Sequence, residues 1–180
     1  MNTTSTLLLL TALCSSFPAH ADVTLPRIFG DHMVLQRDAA LRVWGTAAAG
    51  EEVSVQIDAH KAATKADAEG DWIVELPALQ SDGKAHQMTV RGTNEIVLKD
   101  LLIGDVWIGS GQSNMEWQLK GTERGAEFIK EADHPGIRLF HIPKVPKPEP
   151  AKDVNASWKV CSPESVPNFS GVLYHFGRRI

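Results

Sequence analysis

Between Leu41 and Leu98, apolar and polar residues alternate in short runs. Leu41-Arg42-Val43-Trp44, Val53-Ser54-Val55-Gln56-Ile57 and Trp72-Ile73-Val74-Glu75-Leu76 carry the clearest pattern, and Met88-Thr89-Val90 and Ile96-Val97-Leu98 extend it. A period of two puts one set of side chains on a buried face and the other toward solvent, so each run predicts a β-strand. Gly50, Gly70, Gly83 and Gly92 sit in turn-forming clusters between the runs. Short strands with regular turns predict a small antiparallel β-sandwich over residues 22–100. Trp44 and Trp72 are able to stack on sugars, but tryptophan on an alternating strand more often packs in a core.

The pattern changes after Lys99. Leu101-Leu102-Ile103 and Val106-Trp107-Ile108 are almost uninterrupted apolar runs, as expected of a strand buried on both faces. Ala126, Phe128, Ile129 and Ala132 recur at near-helical spacing and predict a helix over 123–133. A strand over 137–142 follows, and then a stretch, 143–154, whose four prolines exclude regular pairing. From Asn168, the residues Phe169, Val172, Leu173, Phe176 and Ile180 form one helical stripe, with Asn168 or Ser170 as its cap. Strand, helix, strand, loop, helix is the opening of a doubly wound α/β domain with a parallel sheet. About 75 residues are few for such a domain, and the chain stops inside a helical pattern. The expectation is the amino-terminal part of a longer domain.

Composition narrows the partners. The chain has 180 residues, a formal net charge of -4, 43% hydrophobic and 22% charged residues. Mild acidity without a Lys/Arg cluster gives no footprint for nucleic acid. Residues 1–21 have no charged side chain, a short apolar stretch from Leu7 to Leu13, and the small-x-small sequence Ala19-His20-Ala21. They predict a signal peptide cleaved after Ala21, and hence a secreted or periplasmic protein. The apolar stretch is shorter than the roughly 20 residues a membrane span needs, so no membrane association is expected of the mature form. Cleavage would remove Cys14 and leave Cys161 alone, which excludes an internal disulfide.

Chemistry concentrates in Gly104-Asp105-Val106-Trp107-Ile108-Gly109-Ser110-Gly111-Gln112-Ser113-Asn114-Met115-Glu116-Trp117. A serine nucleophile needs an exposed hydroxyl, a base and nearby oxyanion donors. A tight turn after a strand, eased by Gly109 and Gly111, meets the first demand. The Gly-x-Ser-x-Gly elbow is matched at Gly111 and Ser113, while Met115 occupies its last position. On local chemistry alone, a turn that merely caps a helix with Ser113 or Asn114 explains the stretch as well or better.

The longer string Ser110-Gly111-Gln112-Ser113-Asn114-Met115-Glu116-Trp117, preceded by Gly104-Asp105-Val106-Trp107, resembles the first catalytic block of the sialate O-acetylesterase family within the SGNH (GDSL-like) hydrolases. Phe29-Gly30-Asp31-His32-Met33-Val34-Leu35-Gln36-Arg37, Val43-Trp44-Gly45, Gly70-Asp71-Trp72 and the stretches from Ile137, Trp158 and Phe169 are similar to further landmarks of that family. The resemblance covers essentially all of residues 22–180. It implies a flavodoxin-like, parallel-sheet hydrolase domain over 101–180, incomplete here, behind the β-domain of 22–100. It makes Ser113 the nucleophile and its own N–H an oxyanion donor, with Gly111, Gln112 and Asn114 supporting the turn. Glu116 and Trp117 would border the sugar or be structural. Gly109 stands where many members carry Cys.

The implied substrate is an acetylated sugar or glycan, hydrolysed without metal or organic cofactor, and the sequence has no Cys/His cluster to hold a metal. The family's remaining oxyanion donors and its base His, often in an Asp-x-x-His pattern, match nothing in this chain. His32, His134, His141 and His175 lack that context and read as surface or packing residues, and Asp105 reads as structural. The 180 residues alone are therefore expected to be inactive. The competing reading is a non-catalytic carbohydrate-binding or interaction module.

Overall fold

A computed structural model describes residues 21–180 of the chain. The expected signal segment lies outside the described residues, save Ala21.

Nine strands and three short helices account for the regular structure of the described residues. The alternating runs become β2 (Leu41–Thr46), β3 (Glu52–Ile57), β5 (Asp71–Leu76) and β6 (His86–Arg91), each burying every second residue. Two further strands lack such a signal. These are β1 (Val34–Gln36), only three residues long, and β4 (His60–Lys65), whose largest apolar side chain is alanine. β7 (Glu95–Gly104) is the longest.

Five of these strands form one mixed sheet in the order β1-β7-β6-β3-β4, and β2 pairs with β5 in a separate antiparallel ribbon. The ribbon lies against the sheet because β5 runs alongside β4 without a shared ladder. The result is a curled sheet closed around one core, in which Val43, Val53, Val55, Ile57, Met88, Val90 and Leu101 are all fully buried.

This corrects the expected antiparallel β-sandwich. The departure lies in β7. Opposite Gln87, the β6–β7 register shifts, and the extra residue on β7 is Asp100 in a left-handed conformation (φ 56°). Beyond this bulge, Leu102, Ile103 and Gly104 pair in parallel with Val34, Leu35 and Gln36 of β1. The turn at Gly70 shows why glycine is required there. Its φ is +86°, and a Cβ would lie 2.6 Å from the carbonyl oxygen of Ala47.

The second half corrects the expected parallel α/β domain. Residues 105–110 form no strand, and Val106, Trp107 and Ile108 are exposed rather than buried on two faces. No described strand flanks them. α1 (Ser113–Glu116), α2 (Gly125–Lys130) and α3 (Gly171–Gly177) are each under two turns, and α1 and α2 are separated by a 3-10 turn at Leu119–Gly121. β8 (His134–Phe140) and β9 (Trp158–Cys161) form an antiparallel pair, with an irregularity around Pro135 and Gly136 where proline cannot donate to the ladder.

A second, smaller core holds Leu119, Ala132, Leu139, Cys161, Val166 and Tyr174. Cys161 is buried, and burial raises its thiol pKa, so it stays a neutral packing residue. The stripe on α3 is also corrected: Val172, Phe176 and Ile180 face solvent, while Tyr174 is buried and its hydroxyl donates to the carbonyl of Phe128 at 3.1 Å.

Candidate active site

The stretch from Gly104 to Trp117 leaves the curled sheet at the end of β7 and runs to the small second core. Its start is anchored to β1. The N–H of Val106 donates to Gln36 Oε1 at 2.9 Å, and Arg37 makes a two-point contact with Asp105 at 2.9 and 3.1 Å. The hydrogen bond from Arg37 holds the Asp105 carboxyl below its ordinary range. Asp105 is thus occupied as a tether, in agreement with a structural role. Gln36 and Arg37 had no assigned part in the site from sequence, because nothing local links them to residues some 70 positions away.

The middle of the stretch rests on α3. A Cβ at Gly109 would lie 2.3 Å from Leu173 Cδ2, so the missing side chain is what lets the loop cross the helix. Trp107 packs edge-on against Phe176, with ring centroids 5.1 Å apart. Gly111 is nearly extended (φ 159°), and a Cβ there would meet Met115 Cβ only at 3.5 Å.

Ser113 opens α1 and is exposed. Gln112 occupies the N-cap with an extended backbone, and its carbonyl accepts from the N–H groups of Met115 (2.9 Å) and Glu116 (3.3 Å). Neither its side chain nor that of Ser113 caps the helix, which sets aside a simple capping role for Ser113. Among the described residues the Ser113 hydroxyl has no hydrogen-bond partner, and the first N–H groups of α1 remain unpaired, as at any helix start. Ser113 and Asn114 both sit exposed on this turn.

The far side of the turn is pinned to the segment before α3. Leu119 N–H donates to the Phe169 carbonyl and Gly171 N–H to the Trp117 carbonyl, both at 2.9 Å, and the Ser170 hydroxyl lies 3.5 Å from Met115 Sδ. Ser170 is also the N-cap of α3, accepting from Leu173 N–H. Trp117 is exposed, but its Nε1 donates to the Gly121 carbonyl at 2.9 Å, and Glu116 pairs with Lys144 at 3.3 Å. Both of the residues expected to border substrate therefore have structural partners too.

No described histidine hydrogen-bonds to Ser113. His32 Nδ1 pairs with Asp100 Oδ2 at 2.7 Å, His175 and His141 make ring contacts with Phe128 and Phe169, and His134 Nε2 is buried without a hydrogen-bond partner among the described residues. Asp100 also holds Arg138 at 2.6 Å, and these two partners, Arg138 first, lower its pKa to about 2. This cluster joins β7 to β8 rather than serving the serine. Among the described residues no group of His, Cys, Asp and Glu is arranged to hold a metal ion.

Comparison with known proteins places the chain. No protein-family model matches it. The sialate O-acetylesterases of Mus musculus and Rattus norvegicus are 27% and 29% identical over 168 aligned positions, covering 82% of this chain and 31% of theirs. The Homo sapiens sialate O-acetylesterase is 27% identical, with 32% of its length covered. A carbohydrate acetylesterase from Xanthomonas citri, solved by crystallography, superposes with a TM-score of 0.84 at 35% identity, over 88% of this chain and 37% of its own. The chain is thus a relative of carbohydrate acetylesterases. More narrowly, its curated relatives are sialate O-acetylesterases, the family that the Gly111–Met115 block and its neighbours resemble. It spans about a third of the length of the curated relatives it matches.

Proposed function

We propose that this chain supplies the nucleophile-bearing part of a carbohydrate O-acetylesterase that acts outside the cytoplasm. The observation that carries the reading is Ser113 itself: an exposed hydroxyl, unpartnered among the described residues, at the first position of α1, in a chain whose relatives are named as acetylesterases. Ser113 Oγ attacks the acetyl carbonyl carbon while a base accepts its proton. The tetrahedral oxyanion is held by the Ser113 N–H and further donors, and it collapses by expelling the sugar hydroxyl, which takes up a proton. Water then attacks the acetyl-enzyme, releasing acetate and restoring the serine. The base is assigned to a residue other than the described histidines, none of which hydrogen-bonds to Ser113. Gln112 and Asn114 shape the turn, and Trp117 and Glu116 flank the sugar side.

The test joins this chain to the remaining two-thirds of the Xanthomonas citri relative. The chimera is expected to release acetate from acetylated glycans, and a fluorophosphonate is expected to label the peptide carrying Ser113. The Ser113→Ala chimera should lose at least about a thousandfold in rate, the scale of removing a catalytic serine. The 180-residue chain alone should hydrolyse 4-nitrophenyl acetate no faster than its Ser113→Ala variant. Turnover by the chain alone that vanishes in Ser113→Ala would show that the base lies within it, and an active Ser113→Ala chimera would sink the nucleophile assignment.

A further inference from the structure

The outward face of the β2–β5 ribbon carries a feature the esterase reading does not use. Its cross-strand pairs are Arg42 with Glu75, Trp44 with Ile73, and Thr46 with Asp71. An antiparallel pair facing water is expected to be polar on that side. Here the central pair is an indole and an isoleucine, 43% and 55% exposed. Phe29 packs edge-on against Trp44, with ring centroids 4.7 Å apart, and fixes the plane of the indole.

This pair forms the floor of a groove of about 610 Å³, a size suited to a small ligand or a few linked sugars. One wall is the segment 24–26, which bridges to Thr46 through paired backbone hydrogen bonds of 2.8 and 3.2 Å. Lys152 and Asp153 from the proline-rich loop also line the groove. That loop is held in place: Arg27 N–H donates to Asp153 Oδ1 at 2.9 Å, and Arg27 Nη1 donates to Asn155 Oδ1 at 2.5 Å.

The polar groups of the groove are only partly used. Asp67 accepts from two backbone N–H groups of its own turn and Asp153 from two others, whereas Asp71 and Lys152 have no side-chain partner among the described residues. Trp72, which is 4% exposed, borders the same groove from the core side of the ribbon.

We infer that this groove is a second, non-catalytic site that binds a neutral glycan chain. Sugar rings have an apolar C–H face that lies flat on an indole, while their hydroxyls need donors and acceptors at the rim. Trp44 and Ile73 supply the first, and Asp71, Thr46 and Lys152 the second. Three carboxylates (Asp67, Asp71, Asp153) against one ammonium (Lys152) disfavour an anionic glycan. The site is built by the curled sheet and the 150s loop, without Ser113, and stands whether or not the serine is a nucleophile.

The test is affinity electrophoresis of the full chain in gels containing xyloglucan or glucomannan, against gels with polygalacturonate or polysialic acid. Retardation is expected in a neutral polysaccharide and not in the anionic ones. Trp44→Ala should weaken it by about tenfold or more, the usual loss for truncating a central aromatic anchor. Ile73→Ser, which leaves the Phe29–Trp44 contact in place, should weaken it several-fold, and Ser113→Ala should leave it unchanged. Absence of retardation in both neutral polysaccharides, preference for an anionic one, or unaltered retardation of both folded groove variants would each overturn the proposal. A chain that binds while its chimera fails to hydrolyse acetyl esters keeps this site and loses the esterase reading; hydrolysis without retardation does the reverse.

Discussion

Leu101-Leu102-Ile103 and Val106-Trp107-Ile108 are neighbouring apolar triplets of almost the same character, and the fold treats them oppositely. Leu101 is fully buried and Ile103 nearly so, whereas Ile108 is 93% exposed. The first triplet sits in β7 between β6 and β1, with Leu101 packed in the larger core. The second has no described strand on either side and rests only partly on α3. An apolar run in a sequence states that burial would be favourable. Whether burial occurs depends on what the chain supplies to cover it, and that is a tertiary fact.

The sharpest way to break this comparison is to truncate one residue from each triplet. Leu101→Ala should cost about 3 kcal/mol, because it leaves a cavity in the larger core, while Ile108→Ala should cost almost nothing. Chemical denaturation followed by tryptophan fluorescence would measure both, and equal losses would mean that 106–108 is buried in solution. Gly109→Ala comes next. Its methyl group would fall on Leu173 and force the loop or α3 to move, so a loss of about 1–3 kcal/mol is expected. The double variant with Leu173→Ala should recover part of it, and no recovery would rule out the clash as the cause.

The same contrast explains what was legible in the sequence. β2, β3, β5 and β6 were readable because one face of each meets a core and the other meets water, which is what alternation encodes. β4 was not, because His60 to Lys65 sits at the sheet edge and buries little. The parallel β1–β7 pair depends on a bulge at Asp100 that no local pattern announces. In the second half, periodicity pointed Phe128, Ile129 and Ala132 toward a core, but on α3 Tyr174, which the pattern had not singled out, turned inward rather than Val172 or Phe176. At the candidate site, the Ser170 cap could be read from local spacing, whereas the block around Ser113 stood out only through its family resemblance. The contacts of Arg37 with Asp105 and Gly109 with Leu173 could not be read, since each joins residues more than 60 positions apart.

The joint between the two regions offers a smaller, pH-dependent effect. Arg138 is nearly buried and clamps Asp100, which also holds His32. The folded pKa of Asp100, about 2, lies below its ordinary value of 3.8, so the unfolded chain takes up this proton first as the solution is acidified. The stabilising contribution is complete above about pH 4 and fades as the pH falls toward 2. Melting temperatures between pH 5 and 2 should fall more steeply for the unsubstituted chain than for Asp100→Asn, a residue that tolerates the same left-handed backbone. Parallel slopes would show that the clamp contributes nothing to the acid response.

The smallest expected change in stability tests the exposed triplet from the other side. Ile108→Lys adds a charge where the fold leaves an apolar side chain in water, with no hydrogen bond or packed neighbour to lose. Substitutions of this kind stay within about 0.5 kcal/mol. Yet Trp107, Ile108 and the outward face of α3 together form an apolar surface, and such patches promote self-association. The Lys variant should therefore denature at the same midpoint as the unsubstituted chain, while showing less self-association by light scattering and weaker binding of an apolar dye. If its midpoint dropped by several kcal/mol, Ile108 would have to pack against something in solution. The two triplets would then differ in their partners rather than in their exposure.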